Sequence, residues 1–214
     1  MGEGSTTTSA DLSTKEQLVQ TVLELAKEQP RDEIRVEKVL EESGISTGSL
    51  YHHFDDFGHL IETAMAERYV EILRPGLILL EAALDEADDL DDLRKRIYAG
   101  GLAYAKLNTP EARFERARIL ARAGKSERLM EILGEQQLEL TDAYEEMFRR
   151  AQHPDGWLNP DLDSKAMAVF IQAYTFGRLV DDITSDRMEQ EKWMELTFAV
   201  FIRTFVRDPK AAGS

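Results

Sequence analysis

The sequence predicts an all-α protein, with a small N-terminal unit of short helices and a larger helical body. Three observations carry this. Apolar residues recur at helical spacing along almost the whole chain, start and stop signals punctuate that pattern, and no window holds sustained period-two alternation bounded by turn residues.

The elements follow in order. Residues 1–13 are small and polar and read as a tail. Ser13 and Glu16 form a capping box ahead of a helix whose Leu18, Val19, Val22, Leu25 and Ala26 share a face, and Pro30 closes it. Two short apolar pieces come next, Val36–Leu40 and Ile45–Phe54, with Gly44 between them. Leu60, Ile61, Ala64, Met65, Tyr69, Ile72 and Leu73 mark a longer helix at 57–74, which Pro75-Gly76 kinks or ends, and a further helix is predicted at about 76–87. The 90–107 segment places Leu93, Ile97, Tyr104 and Leu107 on one face. Thr109-Pro110-Glu111 then supplies an N-cap, a proline at the first helical position and an acid at the positive end of the dipole, and Gly124 ends that helix. A helix at 126–152 follows, then the loop His153–Pro160, then two final helices at 163–184 and 188–206. The organisation predicted is a tail to residue 13, a short-helix unit at 14–56, a body at 57–208 and a tail at 209–214.

Composition narrows the function classes. The 214 residues carry 26 basic and 41 acidic side chains, a net charge of −15, with 43% apolar residues, which suits a soluble globular chain. No cysteine is present, so disulfides, thiolate metal sites and cysteine nucleophiles are excluded. The longest apolar run, Ala166–Ile171, is far short of a membrane span, and Met1–Ser13 lacks the apolar core of a signal peptide. A cytoplasmic protein without membrane attachment is expected. An acidic surface opposes nonspecific attraction to nucleic acid, and residues 1–65 alone hold five basic against 13 acidic side chains, a net of −8.

The segment from Val39 to Phe54 nevertheless has the layout of a helix-turn-helix. Gly44 permits the left-handed conformation of a tight turn, Ile45 fills the angle between helices, Ser46 caps the second helix, and Leu50 and Phe54 anchor it. Thr47, Gly48, Ser49, Tyr51, His52 and His53 remain outward as short or planar hydrogen-bonding groups suited to a major groove. Gly44-Ile45-Ser46-Thr47-Gly48-Ser49-Leu50-Tyr51-His52-His53-Phe54, with Leu60 after it, resembles the TetR family of bacterial transcriptional regulators over about residues 14–65. The chain departs from that family's pattern at Leu40, where a small residue is usual, and at Phe57, where a lysine is usual.

The resemblance implies a homodimer that binds a double-stranded, palindromic DNA operator, with half-sites about 34 Å apart. It also implies a small-molecule effector in the body, most simply one that relieves repression by moving the 57–74 helix and with it the spacing of the two DNA-reading units. Carried over by position, Thr47, Ser49 and His53 face bases or nearby phosphates, Tyr51 binds a phosphate, and Arg35 or Lys38 anchors the first helix of the pair.

In the body, polar groups that interrupt apolar stripes are the candidate effector contacts: Tyr104, Arg118, Gln136, Tyr144 and Tyr174. The last two helices carry more apolar surface than one subunit can cover, so Phe170, Ala173 and Gly177 of the first and Phe198, Phe201, Ile202 and Phe205 of the second are the candidate dimer interface. No cofactor or metal is expected. Adjacent His52 and His53 point about 100° apart on a helix, and Asp56-x-x-His59 sits where capping is the simpler explanation. An enzyme is not expected either: Asp181 and Asp182 point to different faces, and no serine has a histidine and carboxylate at recognisable spacing. A ligand- or partner-binding dimer without DNA recognition is the competing reading.

Overall fold

The computed structural model describes residues 12–207, with backbone alone at Asp32. The expected tails lie outside it except for Leu12 and Ser13, and Ser13 belongs to a helix start. Among the described residues the chain is helical, and its one extended pairing is an isolated bridge between Leu158 and Val206. The helices are α1 (Thr14–Glu28), α2 (Val36–Ser43), α3 (Thr47–His53), α4 (Phe57–Asp85), α5 (Leu90–Leu107), α6 (Pro110–Ala123), α7 (Glu127–Ala151), α8 (Ser164–Gly177), α9 (Leu179–Asp182) and α10 (Gln190–Thr204). They group into two compact units: residues up to Arg68 with Arg122–Leu133, and Tyr69–Ala121 with the chain from Gly134 onward.

In the first unit, α1 packs against both α2 and α3. Its start is the predicted capping box, with the Ser13 side chain accepting from Glu16 N–H and the Glu16 carboxylate accepting from Ser13 N–H at 2.8 Å. Leu18, Val22, Val39, Leu50 and Leu60 are completely buried, each contributing about 1.5–3 kcal/mol. Gln17 Nε2 donates to the Ser43 carbonyl at 3.0 Å and ties α1 to the end of α2. There Gly44 takes φ +68°, a conformation disfavoured in any residue with a Cβ. Ser46 then caps α3 by accepting from Ser49 N–H at 3.2 Å.

The same unit draws in the junction of α6 and α7. Arg128 donates to both Asp56 carboxylate oxygens at 2.9 and 3.1 Å and, through Nε, to Glu62 at 2.5 Å. Glu62 also accepts from Ser126 Oγ at 2.6 Å. Burial pushes the Glu62 carboxyl up, but the Ser126 and Arg128 hydrogen bonds outweigh it and leave it below the usual carboxylate range. Asp56 also accepts from His59 N–H at 2.7 Å, closing the first turn of α4.

Three expectations about the body are corrected. The separate helices at 57–74 and 76–87 are one helix, α4, with Pro75 in its interior. Proline removes one helical hydrogen bond, but buried side chains hold both sides: Tyr69, Val70, Ile72 and Leu73 before it, Ala83 and Leu84 after. The helix at 163–184 breaks after Gly177 into α8 and α9. Glycine weakens the helix there, and Arg178 is engaged by Gln190 and the Met188 carbonyl. Leu107 does not share the inward face of α5; it is exposed, and the next residue, Asn108, turns inward in its place. The loop before α8 is fastened to the chain beyond α10, where the Arg207 guanidinium donates to the His153, Pro154 and Gly156 carbonyls.

Candidate nucleic-acid interface and ligand cavity

Helix α3 is seven residues long and buries Leu50, with Phe54 at its C-cap. The opposite side is open: Thr47, Gly48 and His52 are exposed, Ser49 and His53 half-buried, and Tyr51 is 50% exposed. A Cβ at Gly48 would meet nothing within 4 Å, so this face can be approached closely. Arg35 is exposed and stands at the N-cap of α2. Lys38 is exposed but paired within its own helix, 2.6 Å from Glu42 and 3.6 Å from Glu41. A phosphate must therefore compete with two carboxylates for it.

The second unit holds a partly open cavity of about 80 Å³. Gly76, Leu79 and Leu80 of α4, Ile97 and Gly101 of α5, and Met194, Phe198 and Phe201 of α10 line it, and three tyrosines, Tyr104, Tyr144 and Tyr174, enter from α5, α7 and α8. Burial pushes all three hydroxyls up, that of Tyr174 to about 12, so they are neutral donors near neutrality. A second chamber of about 30 Å³ shares Gly101, Tyr104, Tyr174, Thr175 and Met194 with the first and adds a polar end: Asn108, Arg113, Arg178, Gln190 and Trp193.

The structure thus brings Tyr104, Tyr144 and Tyr174 together but leaves out two other sequence candidates. Arg118 is exposed, because α6 turns Ala112, Arg113, Arg116, Ile119 and Ala123 inward, and position 118 falls on the far side of that helix. Gln136 is half-buried on α7 and does not line the cavity, and its Oε1 has no hydrogen-bond partner. Arg113 and Arg116 are the buried arginines of α6, and of the two only Arg113 lines a chamber. Arg113 donates to both carboxylate oxygens of Asp182, at 2.5 and 2.7 Å, and to the Asn108 carbonyl. These bonds hold the Asp182 carboxyl below the usual range. Arg116, 2% exposed, lies between the Tyr69 and Phe176 rings at 5.6 and 5.0 Å. Sequence reasoning missed Asn108, Arg113, Arg178, Trp193 and Met194. The one available signal was the arginine at 113 and again at 116, a spacing that places both on one helical face.

The candidate dimer surface divides similarly. Phe170 is 44% exposed, and Ala173 and Gly177 are exposed beside it on α8. On α10, however, Phe201 is buried within the chain, as is Phe205 at its C-cap, Phe198 packs edge-on against Tyr98 at 5.3 Å, and Ile202 is half-buried. Helical period turns Leu196 and Val200 outward instead, beside an apolar groove of about 180 Å³ between α8 and α10.

No family model matches the chain, and no curated protein matches it by sequence. Solved structures do. A protein described as a TetR-family transcriptional regulator from Mesorhizobium loti superposes with a TM-score of 0.62 at 15% identity, over 90% of this chain and 96% of that one. Another so described, from Rhodococcus sp., gives 0.60 at 19% identity over 89% and 97%. A transcriptional regulator from Saccharomonospora viridis, solved in complex with choline, gives 0.57 at 15% identity over 90% and 97%. With a helix-turn-helix unit followed by a helical body matched over nearly its whole length, the chain has the fold of the TetR-family transcriptional regulators.

Proposed function

We propose that the protein is a homodimeric, DNA-binding transcriptional regulator, released from a palindromic operator by a small-molecule effector. The observation that carries this reading is α3: a capped, seven-residue helix anchored by Leu50 and Phe54, with Thr47, Gly48, Tyr51 and His52 on its open side. Arg35 and Lys38 on the preceding helix and Ser49 and His53 on α3 complete the proposed DNA contacts. The cavity lined by Tyr104, Tyr144 and Tyr174 is the proposed effector site, and an effector acts by binding the released state more tightly than the DNA-bound one. Phe170, Ala173 and Gly177 with the outward side of α10 form the proposed dimer surface, its exposed aliphatic side chains having little to cover them in a single chain. Catalysis has no part in this reading.

Because backbone affinity comes from neutralising phosphates and the first 65 residues carry a net −8, operator contact rests on hydrogen bonds and helix dipoles more than on cations. Fluorescence anisotropy on DNA from upstream of the protein's own gene, at low and near-physiological salt with scrambled DNA as control, tests it. Saturable, sequence-dependent binding at the higher salt is expected. Absence of binding at both salts favours a ligand-binding dimer without DNA recognition, the reading that the same acidic charge supports.

A further inference from the structure

Helix α3 contains no lysine or arginine: besides the buried Leu50 it offers Thr47, Gly48, Ser49, Tyr51, His52 and His53. The basic side chains around it are few and mostly engaged. Lys27 lies 2.7 Å from Glu24, and Lys38 lies 2.6 Å from Glu42 and 3.6 Å from Glu41. Arg128, which the 122–133 segment adds, is bound to Asp56 and Glu62. Arg35 stands exposed at the start of α2, and Lys15 of α1 lies over the Phe54 ring at 5.9 Å.

His52 and His53 occupy the last turn of α3. Their ring centroids are 5.1 Å apart, edge to face, with His52 exposed and His53 half-buried. Among the described residues neither imidazole is engaged in a hydrogen bond or an ion pair. The other ionisable groups nearby come from each packed element. α1 brings Lys15, and α2 carries Glu37, Lys38, Glu41 and Glu42. The turn after α3 adds Asp55 and Asp56, and α4 adds His59, whose ring meets Phe54 edge-on at 5.4 Å and whose Nδ1 is 3.4 Å from Asp55. Arg128 holds the Asp56 carboxyl below the usual range. Carboxylates, lysines and arginines keep their charge between about pH 6 and 8, whereas imidazole changes its charge there.

Electrostatics fix the direction of the effect. Two cationic rings this close repel, so both charge together only with an anion against them, and a DNA phosphate supplies that anion. A ring whose proton is held more tightly in the complex adds affinity that is complete on the acid side and is lost as pH rises.

We propose that His52 and His53 form a proton-dependent phosphate clamp, so that DNA association takes up protons and strengthens as pH falls from about 8 to about 6. This rests on reading α3 as the DNA-contacting helix and adds how that contact is regulated.

Fluorescence anisotropy of the full-length protein on the upstream DNA, at about pH 8 and about pH 6 with ionic strength held constant, tests it. Association is expected to be at least about tenfold tighter at the lower pH. Calorimetry in two buffers of different ionisation enthalpy should register about one to two protons taken up per subunit. His52→Gln combined with His53→Gln should abolish the pH difference, whereas His153→Gln, in the loop before α8, should keep it. If the double variant does not fold, His52→Gln alone, at an exposed position, should roughly halve the proton uptake. Equal binding at the two pH values, or a pH difference that survives without both histidines, overturns the proposal and leaves the regulator reading standing. Absence of binding to upstream DNA at either pH removes both.

Discussion

Replacing Asp182 with asparagine strikes the most deeply buried ion pair described in the chain. The Arg113 and Asp182 side chains are 4% and 2% exposed, and two hydrogen bonds of 2.5 and 2.7 Å join them. Asp182→Asn keeps the shape and one acceptor but leaves the guanidinium without a counter-charge. Breaking a buried pair in this way costs about 3–5 kcal/mol, and the retained acceptor argues for the lower end. For a chain of this size that is a fall in Tm of roughly 6–12 °C. Urea denaturation at a fixed protein concentration measures it, since dimerisation would otherwise shift the midpoint. Arg113→Met with Asp182→Leu should recover most of the loss, because an apolar pair pays no desolvation.

The pH dependence follows the same pair. Asp182 is held below its ordinary value by Arg113, so its contribution is complete above the unfolded carboxylate pKa of about 3.9 and disappears as pH falls through the lower, folded value. The gap between wild type and Asp182→Asn should therefore close at strongly acidic pH and stay constant from about pH 5 upward. A loss under about 1 kcal/mol at neutral pH would refute the reasoning. It would mean that water reaches the pair.

Other outcomes test other parts of the molecule. Gly44→Ala should destabilise the first unit by about 1–2 kcal/mol through its φ of +68° alone, since a Cβ there meets nothing within 4 Å, and a thermal melt reads this directly. Tyr51→Ala, at a half-exposed position, should leave the melt unchanged while weakening operator binding at least tenfold in the anisotropy assay. Leu196→Glu places a charge at a side chain 58% exposed in the single chain; sedimentation should show a monomer of normal helicity, and a dimer of unchanged affinity would remove α10 from the interface. Arg128→Ala should cost about 1–2 kcal/mol, and less as salt rises, because its Asp56 arm is exposed whereas Glu62 is largely buried.

What could be read in advance depended on whether apolar residues carried the signal. The turn from α2 to α3 was legible because glycine, serine, leucine and phenylalanine each have one physical task there. The N-terminus of α6 was legible from Thr109 and Pro110 for the same reason. The inward face of α6 was not: two of its five buried residues are arginines, so periodicity of hydrophobicity pointed away from it and Arg118 was chosen instead. Asn108 was hidden in the same way behind its apolar neighbour Leu107. Pro75 misled in the opposite sense, since a local breaking tendency of about 3 kcal/mol is smaller than the tertiary burial on either side of it. On α10 four phenylalanine and isoleucine positions marked an apolar helix correctly, but only the packed structure shows that its aromatic side serves the interior and its aliphatic side, Leu196 and Val200, faces out.

The participation of residues 122–133 in the N-terminal unit has a consequence for modularity. A fragment ending at Arg68 contains the whole helix-turn-helix, yet it lacks the fully buried Leu129 and both partners of Glu62, Ser126 and Arg128. Such a fragment would expose apolar surface and strand a largely buried carboxylate. The helix-turn-helix unit is therefore discontinuous in sequence: a fragment cut at that boundary is expected to fold poorly, and a chimera should carry the second segment with the first.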